Sequence, residues 1–219
     1  MVDVYLDDVF VGTVEKAKDF VKTLKEERRL GKLPFHANIN YNKVFNEVNI
    51  DLSKGRARRP LIVVENGMPK LNAEKLIKLN NGEITWRELV DQGIIEYVDA
   101  GEEENAYVAL YESSLTKEHT HLEVSPITIL GMVTSLIPYS NFGGSSRLIR
   151  GSKIQKHSLG MYASNFMYRM DTDTSILHYP QVPIVNTFMH DIYNFRSHPC
   201  GQNVVIAMIS FEGYNMQDA

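Results

Sequence analysis

Gly55-Arg56-Ala57-Arg58-Arg59-Pro60-Leu61-Ile62-Val63-Val64-Glu65 is the stretch in which a basic, polar segment gives way to an apolar run rich in β-branched residues. Val and Ile suit a pleated strand, so Leu61–Glu65 reads as β-structure, and Asn66-Gly67 closes it with a strong turn signal. Upstream, Val2–Val14 alternates and reads as two strands about a turn at Asp7-Asp8. Glu15–Leu30 is helical by pattern, with Ala17, Phe20, Val21 and Leu24 on one face and Gly31 as a stop. Ala37–Tyr41 and Glu47–Leu52 read as a hairpin joined by an Asn-rich turn.

Downstream the elements shorten. Leu71–Leu79 reads as a helix capped by Asn72, and Thr85-Trp86-Arg87-Glu88 has the form of a capping box, with Gly93 ending its helix. Ile94–Val98 and Ala106–Tyr111 read as strands on either side of an exposed acidic turn, Glu102-Glu103-Glu104. Ser125-Pro126 is a helix start, an N-cap hydroxyl followed by Pro in the first helical position. Gly143-Gly144-Ser145-Ser146 is a flexible loop leading into a helix over Arg147–Tyr168. Leu177–Thr187 is extended, and Val204–Phe211 reads as a β-rich apolar run. The class is α+β, built of short elements with many loops.

Of the 219 residues, 43% are hydrophobic and 23% charged, enough for a buried core divided among small modules. The net charge of −4 gives no bulk reason to expect nucleic acid, so the distribution of charge matters more than its sum. Cys200 is the one cysteine. It excludes an intramolecular disulfide and a thiolate zinc site, and it fits a reducing, cytoplasmic setting. The N-terminus lacks the basic and apolar regions of a signal peptide. The longest apolar stretch, Ile127–Pro138, is too short and too polar to span a bilayer, so no membrane partner is expected.

Between Ser125 and Met170 there is no Asp or Glu, and Arg147, Arg150, Lys153 and Lys156 recur at steps of three. On a helix these fall on a slowly drifting side. A glycine-rich loop leading into a basic helix suits a phosphate, and a solvated basic face is the plainer alternative. His119, His121 and Glu123 alternate as they would on one face of a strand; metal ligands and hydrogen-bonding side chains are the two readings. Cys200 beside His198 has the wrong geometry for a nucleophile and base, and no P-loop or dinucleotide fingerprint is present. Asp218, in the polar turn after Phe211, offers a hard oxygen toward a Mg²⁺-bound phosphate.

Several blocks, in order, resemble one family. Gly55–Glu65 looks like the segment between the two external domains of the second-largest subunit of an archaeal-type DNA-dependent RNA polymerase. Gly93-Ile94-Ile95-Glu96-Tyr97-Val98-Asp99-Ala100 with Glu102-Glu103-Glu104-Asn105-Ala106 resembles its second external domain. Thr120-His121-Leu122-Glu123-Val124 through Ile137-Pro138 resembles the entry to the fork and hybrid-binding region. Leu177-His178-Tyr179-Pro180-Gln181, Pro199-Cys200-Gly201-Gln202-Asn203 and Gly213-Tyr214-Asn215-Met216-Gln217-Asp218-Ala219 continue the match.

The resemblance implies an external 1-like module over residues 1–60, an external 2-like module over 61–118 and the beginning of the fork and hybrid-binding domain over 119–219. It implies a piece of that subunit rather than a complete enzyme, with Val204–Phe211 left unpaired or poorly covered because its sheet partners would lie further along the family's chain. It implies that Arg147 lies near the incoming nucleotide's phosphates, and that Gln155, Lys156 and His157, with Arg150 and Lys153, face the RNA–DNA hybrid. Asp218 matches the second acid of a Glu-Asp pair near the active centre; Gln217 stands where the family has Glu and cannot supply that charge. Implied partners are the largest polymerase subunit, the remainder of the second-largest subunit, template DNA, the RNA transcript and nucleoside triphosphates. Mg²⁺ would be held mainly by the largest subunit, with no zinc in this chain. The expected role is a contribution to nucleotidyl transfer in transcription, without activity in isolation. Two rivals are a nucleic-acid-binding or assembly module acting alone and a metal hydrolase built on His119, His121 and Glu123.

Overall fold

The computed structural model describes residues 1–217 and divides into two compact units, Met1–Pro126 and the segment from Ile127 onward. The first unit begins with β1 (Val2–Leu6) and β2 (Val9–Val14), an antiparallel hairpin. Asp7 and Asp8 turn it with φ of 48° and 66°, the left-handed pair that a two-residue hairpin loop requires. Helix α1 (Ala17–Arg29) crosses to β3 (Asn38–Asn42), which returns as β4 (Glu47–Asp51). β4 pairs in parallel with β1, giving the order β2-β1-β4-β3. Val2, Val4, Ala17 and Val48 form the core beneath α1, with Phe20 and Val21 packed against it.

β5 (Arg59–Glu65) is the centre of the second sheet. It turns through Asn66 and Gly67, at φ 53° and 80°, into β6 (Met68–Pro69). Helices α2 (Ala73–Asn80) and α3 (Trp86–Asp91) follow, then β7 (Ile95–Val98), α4 (Ala100–Glu104), β8 (Val108–Ala109) and β9 (His121–Glu123). β5 is flanked by β7 and β9, both antiparallel. That is why Leu61, Ile62, Val63 and Val64 are all buried: side chains on both faces of a central strand are covered, so the run is continuous rather than alternating. Asn72 accepts from the Lys75 N–H at 3.0 Å. Thr85 and Glu88 close their capping box at 3.3 and 2.7 Å. Gly93 has φ 62°, and a Cβ there would lie 2.8 Å from the Arg29 carbonyl oxygen, so both the turn and the close approach of α1 demand glycine.

The second unit contains α5 (Gly131–Thr134), α6 (Ser145–His157) and α7 (Met189–Ile192), joined by 3-10 turns and irregular chain. Ser135, Leu136 and Met189 are buried. The Thr187 hydroxyl donates to the Ser135 carbonyl at 2.9 Å, tying the α7 approach to the α5 exit.

The α+β class holds, and three local expectations do not. The helix expected over Arg147–Tyr168 is α6, ending at His157; Ser158, Gly160, Ser164 and Asn165 follow, and the Gly160 carbonyl is instead taken by the Leu177 N–H at 3.2 Å. Glu102-Glu103-Glu104 is helix α4 rather than an exposed turn, and Glu102 is 1% exposed, because Asp99 caps the helix and Glu102 meets a buried arginine. Val204–Phe211 is not a strand, though it is left unpaired and uncovered as expected: no described residue pairs with it, and its side chains stand in solvent, Phe211 at 94%. A strand needs a neighbour to satisfy its backbone, and propensity alone does not hold one.

Candidate nucleic-acid interface

Helix α6 has two distinct sides. Leu148, Gly151, Ser152 and Gln155 are half-buried at steps of three and four, which defines the packed side. Gly151 lies there, where a Cβ would come 3.1 Å from Cδ1 of Ile137. Arg147, Arg150, Lys153 and Lys156 are all exposed. Each step of three turns the helix by about −60°, so the four sweep the half of the helix opposite the packed side. No ion pair involving these four occurs among the described residues. At the N-terminus Gly144 is the cap without a side chain, and its carbonyl accepts from Arg147 and Leu148. The geometry offers cationic heads on a helix whose first turn is closed by backbone alone, a surface suited to phosphates.

The expected site residues do not all gather there. His157 is exposed at the C-terminal end of α6 with the lysines. Gln155 lies on the packed side and donates through Nε2 to Cys200 Sγ at 2.9 Å. It lines a cavity of about 300 Å³ together with Leu136, Val185 and Phe195. Gln217 is exposed, its backbone N–H donating to Asn215 Oδ1 at 2.9 Å, and Asp218 lies outside the described residues.

His119, His121 and Glu123 each engage protein groups. His119 stacks on Tyr107 with ring centroids 4.1 Å apart. His121 is buried and donates through Nε2 to Glu96 at 2.9 Å, and Glu123 receives Arg59. Among the described residues, no group of three or more His, Cys, Asp or Glu side chains is disposed to hold a metal ion.

Sequence reasoning missed a buried ionic network in the first unit. Arg28 of α1 forks onto Glu102 of α4, at 2.6 and 3.0 Å, and reaches Glu96 of β7 at 3.4 Å. Glu102 also accepts from the Ile39 N–H at 2.6 Å and lies 3.3 Å from Lys25. Arg29 forks onto Glu96 at 2.7 and 3.0 Å. Burial by itself raises the Glu96 carboxyl, but hydrogen bonds from His121 and Arg29 and the charges of Arg28 and Arg29 outweigh it and hold the group well below the usual carboxylate range. Burial works against the Arg28 charge, and Glu102 and Glu96 more than offset it, so its pKa is raised. The network joins α1 and β3 of the first sheet to β7, α4 and β9 of the second, a structural role rather than a catalytic one. One signal was legible: Arg28 continues the stripe of Ala17, Val21 and Leu24 that faces the core.

Comparison with known proteins agrees along nearly the whole chain. Three family models match in order: RNA polymerase Rpb2, domain 4, over residues 4–65; domain 5, over 86–127; and domain 6, over 133–219. The DNA-directed RNA polymerase subunit Rpo2 of Sulfolobus acidocaldarius is 47% identical over 218 residues, covering 99% of this chain and 19% of that protein. The Saccharolobus shibatae subunit Rpo2 is 45% identical over the same span, and the DNA-directed RNA polymerase III subunit RPC2 of Schizosaccharomyces pombe is 36% identical over 216 residues. The chain thus spans about one fifth of the length of these relatives. With three successive domains of one subunit matched in sequence order, the chain belongs to the family of second-largest subunits of DNA-directed RNA polymerases.

Proposed function

We propose that this chain works as part of the second-largest core subunit of a multisubunit DNA-directed RNA polymerase in the cytoplasm, contributing to nucleotidyl transfer and inactive alone. Its partners in this reading are the largest subunit, the rest of the second-largest subunit, template DNA, the RNA transcript and nucleoside triphosphates. The observation that carries the reading is α6: four cations, with no ion pair among the described residues, on the half of the helix opposite its packed side, in a stretch of sequence free of acids. Arg150, Lys153 and Lys156, with His157 at the end, contact phosphates of the RNA–DNA hybrid without reading sequence. Arg147, at the first turn, meets the triphosphate of the incoming nucleotide. Asp218, with Gln217 beside it, adds a charge near the second metal. The half-buried Gln155 acts on the hybrid only indirectly, through the packing of α6.

The Mg²⁺ of the reaction belongs mainly to the largest subunit in this scheme. The described residues include no donor cluster that fits a metal of their own, so no step is assigned to one here. Phosphoryl transfer asks the protein chiefly for positioning and charge stabilisation, and these α6 side chains supply part of both. The three modules of this reading follow one another in the order of the three matched domains, and β9 keeps His121–Glu123 in the second sheet.

The test uses assembled polymerase. Lys153→Ala lowers the slope of log affinity against log salt by about 0.7–0.9, one phosphate contact. Arg147→Ala raises the KM for nucleoside triphosphates with template binding unchanged. An unaltered salt slope in the first variant, together with an unaltered KM in the second, would remove α6 from the active centre.

A further inference from the structure

In the first unit, α1 and the β3–β4 hairpin enclose a groove of about 330 Å³. Lys18, Lys22, Lys25 and Arg29 line it from the helix and Lys43 from the hairpin turn, five cations against the one carboxylate of the lining, Glu26. The helical positions follow steps of four, three and four, a single stripe. The cations differ in what they already hold. Lys25 lies 3.3 Å from Glu102, and Arg29 is forked onto Glu96, so the charge at the floor is matched by buried carboxylates. At the rim, Lys18 and Lys43 make no ion pair among the described residues. Lys22 has only a 3.9 Å contact with Glu26, at side-chain exposures of 75% and 55%. Such a pair contributes little. Residues 1–126 carry 17 Lys and Arg against 22 Asp and Glu, a net of −5, so this basic rim is a local exception on an acidic unit.

We propose that the groove is a docking site for a short acidic segment of a protein partner. Lys18 and Lys22 are spaced by about 6 Å along the helix axis. Alternate side chains of an extended peptide lie about 6.6 Å apart on one face, so an acid–x–acid pattern meets both lysines. Val21 and Tyr41 also line the groove and offer apolar surface for a hydrophobic neighbour. A nucleic acid strand fits less well. The one aromatic ring lining the groove, Tyr41, is half-buried against the core, and its hydroxyl donates to Asn46 at 3.3 Å, so it is no stacking platform. The one guanidinium fork is engaged by Glu96, leaving no bidentate phosphate clamp.

The experiment titrates a fluorescently labelled peptide of alternating glutamate and leucine, and separately a labelled single-stranded oligonucleotide, onto the whole chain by anisotropy. The Lys18→Glu/Lys22→Glu/Lys43→Glu variant weakens peptide binding by about tenfold or more, three exposed pairings lost together. Lys75→Glu, on α2 away from the groove, leaves it unchanged. A urea midpoint followed by emission of Trp86, the single tryptophan, establishes that the variant is folded. Equal peptide affinity in the folded variant overturns the proposal. So does tighter binding of the oligonucleotide than of the peptide, with the triple variant losing it, which would make the groove a nucleic-acid site.

Discussion

Replacing Glu102 by alanine should damage the first unit more than any surface change. Glu102 is 1% exposed, and the Arg28 side chain it holds is 3% exposed. In Glu102→Ala the guanidinium keeps the Ala37 carbonyl and a 3.4 Å contact with Glu96, but loses its forked partner. The Ile39 N–H loses its 2.6 Å acceptor at the same time. Breaking a buried pair from one side costs about 3–5 kcal/mol, of which a stranded peptide N–H accounts for about 1–3. With a urea dependence of about 2 kcal/mol per molar, the midpoint drops by about 1.5–2.5 M. Trp86 reports the loss, since it lies in α3 of this unit with its indole N–H donating to Tyr97 at 2.9 Å. Glu102→Gln falls between, retaining a carbonyl acceptor for Ile39. Adding Arg28→Met to Glu102→Gln recovers part of the loss, because no uncompensated charge then remains. A Glu102→Ala change below about 1 kcal/mol, or a double variant as damaged as the sum of the singles, would refute the account.

Acid should weaken the same unit through Glu96. Its folded pKa is lowered from an ordinary value of 4.5, so the unfolded chain takes up the proton first. The stabilisation is therefore present above that value and lost as pH falls through and below it. Urea midpoints that stay flat from pH 6 downward to well below 4.5 would contradict this. Gly93→Ala should cost more than Gly82→Ala, although both have positive φ, at 62° and 75°. The backbone strain is common to both, about 1–2 kcal/mol, but a Cβ at Gly93 meets Arg29 at 2.8 Å whereas none of the described atoms lies within 4 Å at Gly82. Equal Trp86-monitored midpoints for the two variants would show that the contact with α1 is not tight.

The elements legible in the sequence were those whose signals are local. Asp7-Asp8 and Asn66-Gly67 turn through left-handed backbone that few other residues accept, so both turns, and the first hairpin, could be placed at once. Asn72 and the Thr85–Glu88 box satisfy N–H groups within their own first turn, and the structure keeps both. The basic stripe of α6 was readable because it repeats at a fixed step, and its exposure agrees with that pattern.

What depended on distant neighbours was not readable. Glu102 sits in a run of three glutamates that any local rule assigns to solvent, yet Arg28, distant in sequence, draws it inside. Gln155 lies one residue from Lys156, and only the packing of Cys200 reveals that it faces the other way. Val204–Phe211 has the composition of a strand and no pairing partner among the described residues. The amino-acid order by itself thus determined the turns, caps and helical stripes, whose energetics close within a few residues. The tertiary structure alone decided which charges are buried, which face of α6 is free and whether a β-prone run becomes a strand, because each of these depends on a partner that folding has to bring from elsewhere in the chain.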